Sequence, residues 1–236
     1  MMHSSQIKAA LQDAIPIMTA YFPIGMTFGI LSINNGIAWW ITILISVCIY
    51  AGGAQFMLVG LAISNSSPVT TIVTVILVNL RHVLYGTTLG PAFQKWSERN
   101  KWLVAFGLTD EVFAVTSCRR QENPLTPLYQ FIFTFACYGT WVAGTVAGVG
   151  IGKTVPASIS QVLGFALPAL FLALLFLGER SAAHVISAIC GALMAIITTL
   201  LHWGSFGIIA GALSGATIGM LMKVILAKHR YSSYFS

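Results

Sequence analysis

Residues 14–80 decide the fold, and they read AIPIMTAYFPIGMTFGILSINNGIAWWITILISVCIYAGGAQFMLVGLAISNSSPVTTIVTVILVNL. The stretch contains no Asp, Glu, Lys or Arg. It is long enough for three helices of the roughly 20 residues that cross a bilayer. Turn-forming residues interrupt it at Asn34-Asn35-Gly36 and at Asn65-Ser66-Ser67-Pro68. We therefore predict membrane spans over 14–33, 39–63 and 68–90.

The composition excludes most soluble classes of protein. Of the 236 residues, 57% are hydrophobic and 8% are charged, whereas soluble domains average about 45–50% and about 25%. So few charges cannot cover a water-exposed surface, which excludes a soluble enzyme, a disordered chain and a nucleic-acid-binding protein. The formal charge of +6 comes from basic residues between and after the apolar segments, where they bias the topology. We predict an all-α, polytopic integral membrane helix bundle.

The rest of the chain continues this pattern. A segment over 102–117 is shorter than a full span, and longer apolar segments follow at 127–151, 159–177, 182–201 and 205–226. The total is about 7–8 membrane segments in the lipid bilayer, some of them broken or re-entrant. We predict a single transmembrane domain, 1–236, with a cytoplasmic N-terminal segment at 1–13 and a basic C-terminal tail at 227–236.

The basic loops indicate where a segment fails to cross. Basic residues lie at 95–101 and at 119–120, on either side of the short segment. A full crossing would put them on opposite sides of the membrane, whereas a re-entrant segment of roughly 24 Å keeps them together. Pro16, Pro23, Gly25 and Gly29 predict a similar break in the first span. Broken segments of this kind are the usual sequence pointer to a transporter site.

An arginine inside an apolar segment is costly and needs a partner. Arg81, in NLRHVLYG, is such a residue, and the acids placed in an apolar segment are Asp110 and Glu111, in LTDEVFA. A polar loop at 91–101 separates Arg81 from Asp110. At the helical rise of about 1.5 Å per residue, each residue lies roughly 12–14 Å from this loop. If the two segments are antiparallel neighbours, Arg81 and Asp110 therefore lie at the same depth in the membrane. One acid then pairs with Arg81, and the other faces a cavity, a proton or a substrate ammonium. The alternative is an ion pair that only fixes helix registration.

A second motif is YAGGAQF, at 50–56. Its glycines, Gly52 and Gly53, either let the helix unwind and free N–H groups for a carboxylate, or let another helix approach closely. The amide of Gln55 favours a site, because it is otherwise a liability in lipid. Glycines spaced as in GxxxG predict a packing face against another helix or a partner subunit. These subunit-packing residues are Gly211, Gly215 and Gly219.

The candidate substrate-binding or ion-binding residues all lie at polar motifs or breaks inside apolar segments. They are Arg81, His82, Asp110, Glu111, Asn79, Tyr85, Thr109, Tyr50, Gly52, Gly53, Gln55 and Pro23. His82 is a weaker candidate for direct proton transfer, since a lone helical histidine is more often hydrogen-bonded structure. The cysteines lack metal-binding spacing. We predict no metal, no cofactor and no catalytic residues, and hence no enzyme.

Three motifs in order, YAGGAQF, NLRHVLYG and AFGLTDEVFA, resemble signatures of the AzlC family, and GFALPALFLALL at 164–175 is similar to a later family stretch. The resemblance runs over residues 8–226. It implies the large subunit of a two-component exporter of valine, leucine and isoleucine, in some members with methionine. It also implies the bacterial inner membrane and a small AzlD-like membrane partner. Gly53 stands where the family leads us to expect Ala or Ser.

The residues fit transport of a zwitterionic aliphatic amino acid. Arg81, or N–H groups freed near Gly52, could hold the carboxylate, and Asp110 or Glu111 could hold the ammonium or exchange a proton. Since we find no nucleotide-binding segment, an ion gradient is the expected energy source, most simply protons. The alternatives are a channel or transporter for another small polar solute, an intramembrane enzyme, and a structural anchor for a partner complex.

Overall fold

A computed structural model describes residues 2–63, 66–122, 124–163, 182–201 and 206–232, with isolated positions at 165, 169 and 172. Helices fill most of these residues and no strand occurs among them, so the predicted all-α membrane bundle is confirmed. Contacts divide the chain into two compact units. One comprises 1–71 and 79–169, and the other comprises 72–78 and 170–236. The single transmembrane domain stays a prediction.

Three helical stretches are long and apolar enough to cross a membrane, namely Ser4–Asn34, Pro68–Phe93 and Pro127–Thr154. The helices of the first unit are α1 (Met2–Asn34), α2 (Trp39–Cys48), α3 (Gly52–Ile63), α5 (Arg81–Phe93), α6 (Glu98–Phe106), α7 (Asp110–Glu122), α8 (Pro127–Ile151) and α9 (Ala157–Leu163). The two units share α4 (Pro68–Asn79). The second unit also contains α10 (Ala182–Leu200) and α11 (Phe206–Ser232). The predicted span 159–177 lies largely outside the described residues.

The predicted break in the first span is wrong. α1 is continuous from Met2 to Asn34 and contains both Pro16 and Pro23, so it also takes in most of the segment predicted to precede the span. The physical reason lies in the two glycines that follow. A Cβ atom at Gly25 or Gly29 would collide with backbone atoms of α8. These glycines therefore allow close helix packing instead of unwinding.

α1 and α8 form the core of the first unit. Gly144 of α8 lies against the backbone of α1 in the same way that the α1 glycines lie against α8. The contacts ascend together along the two helices, from Asp13 with Tyr129 to Ile33 with Gly152, so the helices run parallel. Small residues on both surfaces let the two backbones meet, which is the usual basis of helix association in lipid.

The predicted second span is two short helices that form a hairpin, so its prediction as one crossing is wrong. The chain leaves α2, is non-helical at 49–51 and then begins α3. Tyr50, at this tip, lies beside Tyr21, half-way along α1. Phe56 of α3 contacts Phe28, nearer the C-terminal end of α1, so α3 returns toward the end from which α2 came. Hydropathy does not detect the reversal, because both helices are apolar.

α6 and α7 form a second hairpin, with a non-helical tip at 107–109. α7 runs antiparallel to α1, because Glu111 contacts Tyr21 whereas Arg119 pairs with Asp13. The tip therefore lies beside the middle of α1, and the far end of α7 lies level with Asp13, in the first half of α1. The short segment predicted at this place is thus a half-crossing hairpin. α5 runs parallel to α7, from Arg81 beside Asp110 to Thr88 beside Arg120, and α6 begins shortly after α5 ends, so both basic loops lie at one end of the unit.

In the second unit, α10 packs closely on α11. A Cβ atom at Gly211 or Gly215 would meet the backbone of Gly191, and one at Gly219 would meet the side chain of Ser187. The Ser187 hydroxyl donates to the Gly215 carbonyl at 2.6 Å. The glycine face predicted for subunit packing is therefore occupied by α10 of the same chain.

Candidate functional site

The predicted charge pair forms between Arg81 and Asp110. Arg81 begins α5 after the turn at Leu80, and Asp110 begins α7. A guanidinium nitrogen of Arg81 lies 2.5 Å from Asp110 Oδ2, and the two side chains are 29% and 19% exposed. The Tyr85 hydroxyl also donates to this carboxylate. The sequence left open which acid pairs with Arg81, and the contacts assign Asp110.

Glu111 has different partners from its neighbour. The Tyr21 hydroxyl donates to Glu111 Oε2 at 2.5 Å and lies 2.6 Å from the Thr109 hydroxyl. Because the Tyr21 hydrogen goes to the carboxylate, the Thr109 hydroxyl is the donor to Tyr21. Within the part of the chain that the structure describes, Glu111 forms no ion pair. One acid thus faces a cation and the other faces a hydroxyl.

Gln55 holds the break between α2 and α3. Its Nε2 donates to the Ile49 carbonyl at 2.5 Å, and its Oε1 accepts from Trp141 Nε1 at 3.0 Å. Gly52 begins α3 against the same indole, since a Cβ atom there would lie 2.8 Å from the ring. The chain thus breaks just before the tandem glycines, and the group that lies close to Gly52 is an indole side chain, not the backbone of another helix. Gly53 is buried in the first turn of α3.

The tips of the two hairpins meet in an aromatic cluster. The ring centroid of Tyr50 lies 6.3 Å from that of Tyr21 and 6.5 Å from that of Trp141. Phe106, just before the second tip, stacks on Tyr50 at 6.4 Å. Tyr138 lies 5.0 Å from Tyr50 at the edge of the cluster, and its hydroxyl donates to a backbone carbonyl of α2. Tyr21, Tyr50, Trp141, Phe106 and Tyr138 are called the aromatic cluster below.

The remaining predicted residues lie beside this centre. Nδ1 of His82 is 3.0 Å from the Asn79 carbonyl, and its ring lies 5.2 Å from that of Tyr85. The side-chain oxygen of Asn79 is buried without a hydrogen-bond partner among the described residues. Pro23 lies within α1, where its carbonyl accepts from Thr27. His82 thus makes the local structural hydrogen bond that is typical of a helical histidine.

Tyr21 and Trp141 were not predicted from the sequence, although both are central. The sequence of α8 nevertheless contains a pattern that indicates Trp141. Gln130, Thr134, Trp141 and Thr145 are four, seven and four residues apart and therefore share one helix face. All are buried, and the flanking ones bond to hydroxyls of α7 and α2. A polar stripe on an apolar helix marks the side that faces the other polar groups.

A second polar cluster lies at the far end of α7. Arg119 is 3.3 Å from Asp13 Oδ2, and the Tyr129 hydroxyl donates to the same oxygen at 2.6 Å. The Arg119 guanidinium also lies 5.0 Å from the centre of the Tyr129 ring, at cation–π distance. Arg120 donates to the Thr88 carbonyl of α5 at 2.8 Å. α7 is therefore held at both ends, by α1 and by α5.

Helices long enough to cross a bilayer, with two hairpins whose tips meet at a polar centre, define a helical membrane protein. Within the described ranges, no group of three or more His, Cys, Asp or Glu side chains is placed to hold a metal ion. The chain belongs to the AzlC family, because residues 16–155 match the family described as AzlC protein. Residues 158–233 match a second description, the MJ1155 family.

Several relatives cover nearly the whole chain. It is 37% identical to an uncharacterized membrane protein of Archaeoglobus fulgidus, over 90% of this chain and 93% of that protein. It is 32% identical to the inner membrane protein YgaZ of Escherichia coli, over 95% of this chain and 92% of that protein. It is 26% identical to the branched-chain amino acid transport protein AzlC of Bacillus subtilis, over 92% of this chain and 86% of that protein. No solved structure matches the chain significantly. The predicted family resemblance is confirmed.

Proposed function

We propose that the chain is the large subunit of a membrane exporter for valine, leucine and isoleucine, with methionine as a further substrate, and that the proton gradient drives it. The similarity to the Bacillus subtilis transport protein supports the substrate class. The observation that carries the proposal is the pair of adjacent acids at the start of α7. Arg81 binds Asp110, whereas a tyrosine hydroxyl holds Glu111 between the tips of two hairpins.

The substrate carboxylate requires an electropositive group. Arg81 is engaged with Asp110, whereas α3 begins at Gly52 after unwound backbone and has no acid in its first turn. The first N–H groups of a helix lack intrahelical acceptors and carry partial positive charge. In this proposal the carboxylate therefore lies at the start of α3, near Gly52 and Gly53. The aliphatic side chain then contacts apolar residues of the hairpins.

Proton coupling is assigned to Glu111. Asp110 is committed to Arg81, which leaves Glu111 to bind a proton from one side of the membrane and to release it on the other. The contacts of α7 support this assignment, because α7 joins α1 and α5 at its first turn beside Glu111 and again near its far end. Small movements of the α6–α7 hairpin change which end of the molecule Glu111 faces.

A location and a partner are also part of the proposal. The name of the Escherichia coli relative supports the bacterial inner membrane, and the three described helices long enough to cross a bilayer support a multi-pass protein. The family resemblance supports a small AzlD-like membrane subunit as the partner. Because α10 covers the glycine face of α11, that subunit contacts another surface of the chain.

Reconstitution tests the proposal. Proteoliposomes that contain the chain, with or without a small AzlD-like membrane protein, are loaded with labelled leucine, and efflux is measured with and without an imposed proton gradient. We expect saturable leucine efflux that the gradient accelerates and that valine and isoleucine compete for. Protein-free liposomes are the control. Efflux of an unrelated polar solute without leucine efflux would favour the alternative, a transporter or channel for another small solute.

A further inference from the structure

The Tyr50 hydroxyl is an unexplained polar group of the site. Tyr50 is 5% exposed, and its hydroxyl has no hydrogen-bond partner among the described residues. Native structures contain few such groups, and a water, an ion or a ligand usually accounts for them. The ring of Tyr21, whose hydroxyl donates to Glu111, lies edge-on beside that of Tyr50. Tyr50 therefore belongs to the same cluster as Glu111, with the Tyr21 ring between them.

The neighbouring hydroxyl has no such spare capacity. Tyr21 donates its hydrogen to Glu111 Oε2 and accepts from Thr109. The other carboxylate oxygen, Oε1, accepts no hydrogen bond within the described part of the chain, and the Glu111 side chain is partly exposed. Two acceptors thus remain open among the neighbours of Tyr21, a carboxylate oxygen and a tyrosine oxygen.

Aromatic rings add a third negative feature. The ring of Tyr21 meets those of Tyr50 and Trp141 at interplanar angles of 81° and 80°. Aromatic faces carry negative potential and attract cations within about 6 Å of their centres. A carboxylate oxygen and a free hydroxyl oxygen beside these aromatic rings together match a cation with several donors, not an anion.

We infer that Glu111, Tyr50 and the rings of Tyr21 and Trp141 bind the ammonium group of the transported amino acid. The inference rests on the proposed function and deepens it. A primary ammonium has three N–H donors. One reaches Glu111 Oε1, another reaches the Tyr50 oxygen, and the third faces a ring. Glu111 then holds either a proton or the ammonium but not both, which is the condition for exchanging one against the other.

Kinetics of Tyr50→Phe test the inference. This variant keeps the ring and removes the free hydroxyl, whereas the control, Tyr138→Phe, removes a neighbouring hydroxyl that bonds to backbone. We expect Tyr50→Phe to raise the KM of leucine counterflow about tenfold, as for loss of one hydrogen bond to a charged group. Inhibition by 3-methylbutylamine should weaken by the same factor. Inhibition by 4-methylpentanoate, which has a carboxylate and no ammonium, should not change.

The outcomes separate this inference from the proposed function. If the wild-type protein transports leucine but Tyr50→Phe has the same leucine KM as Tyr138→Phe, the ammonium subsite is refuted and the transporter stands. Equal weakening of inhibition by the amine and by the acid also refutes the subsite. If the folded wild-type protein shows no leucine counterflow, both claims are overturned.

Chemical labelling of the wild-type protein tests the ammonium subsite without the Tyr50→Phe variant. A hydrophobic carbodiimide labels carboxyl groups in apolar surroundings, and Glu111→Gln identifies the signal from Glu111. We expect leucine and 3-methylbutylamine to slow this labelling and 4-methylpentanoate to leave it unchanged. Equal labelling with and without the amine would contradict an ammonium subsite at Glu111.

Discussion

Removal of one member of the Arg81–Asp110 pair should destabilise the protein more than removal of both. Arg81→Gln strips Asp110 of its cation in a site where the side chains are 29% and 19% exposed. A lone, fully buried charge costs roughly 3–5 kcal/mol. The residual exposure and the Tyr85 hydroxyl, which still donates to Asp110, reduce this value, and we expect about 2–3 kcal/mol.

A double-mutant cycle measures the coupling. Arg81→Gln, Asp110→Asn and the double variant are compared by the free energy of unfolding in mixed micelles and by their abundance in membranes. The double variant carries no ionised group at this place, so we expect a coupling energy of about 2 kcal/mol. The exposed Lys101–Glu98 pair, in which Glu98 is 77% exposed, is the control and should couple by less than about 1 kcal/mol. Strictly additive losses at Arg81 and Asp110 would refute the pairing argument.

Further predictions concern packing and the hairpins. Gly25→Val should lower the free energy of unfolding by about 1–3 kcal/mol, because its Cβ meets backbone of α8, whereas Gly60→Val, with open space around it, should be nearly neutral. Gln55→Leu should release the tip of the first hairpin and lower leucine counterflow at least about tenfold, as expected for a displaced site; unchanged counterflow would contradict its positioning role. Asp13→Asn should lower the melting temperature only slightly, consistent with about 1 kcal/mol for a partly exposed pair, and a collapse of folding would contradict that view.

The charge pair could be predicted from the number of residues that separate Arg81 and Asp110 from the polar loop between them. That loop gives a common reference for the depth of both residues in the membrane. Arg81 and Asp110 were placed at one level by counting helix rise from the residues between them, and they meet in the structure. Which of Asp110 and Glu111 pairs with Arg81 depends on the rotation of α7 about its axis. The sequence does not reveal this rotation, because the two acids are adjacent in one motif. Tertiary packing of α7 against α1 and α5 decides it.

Reversals of the chain were harder to predict than helices. The stretch 39–63 is apolar throughout, so its length matched one crossing although the chain turns back at 49–51. The tandem glycines marked the right place, but a break and a reversal have the same local sequence. Conversely, the glycines and prolines of α1 suggested a break where close packing against α8 keeps a straight helix. Tyr21 was not predicted as a site residue, because a single tyrosine in an apolar helix does not indicate a site until its partner, Glu111, is known.

Gradient-driven leucine accumulation by Glu111→Gln and Asp110→Asn tests the central claim most directly. Each variant is reconstituted, and accumulation against an imposed proton gradient is compared with counterflow in its absence. We predict that Glu111→Gln loses the response to the gradient and keeps at most downhill exchange, because the amide cannot carry a proton between the two sides. Asp110→Asn should reduce the amount of assembled protein while the remaining protein still responds to the gradient. If Glu111→Gln still concentrates leucine, Glu111 is not the proton carrier, and His82 becomes the next residue to test.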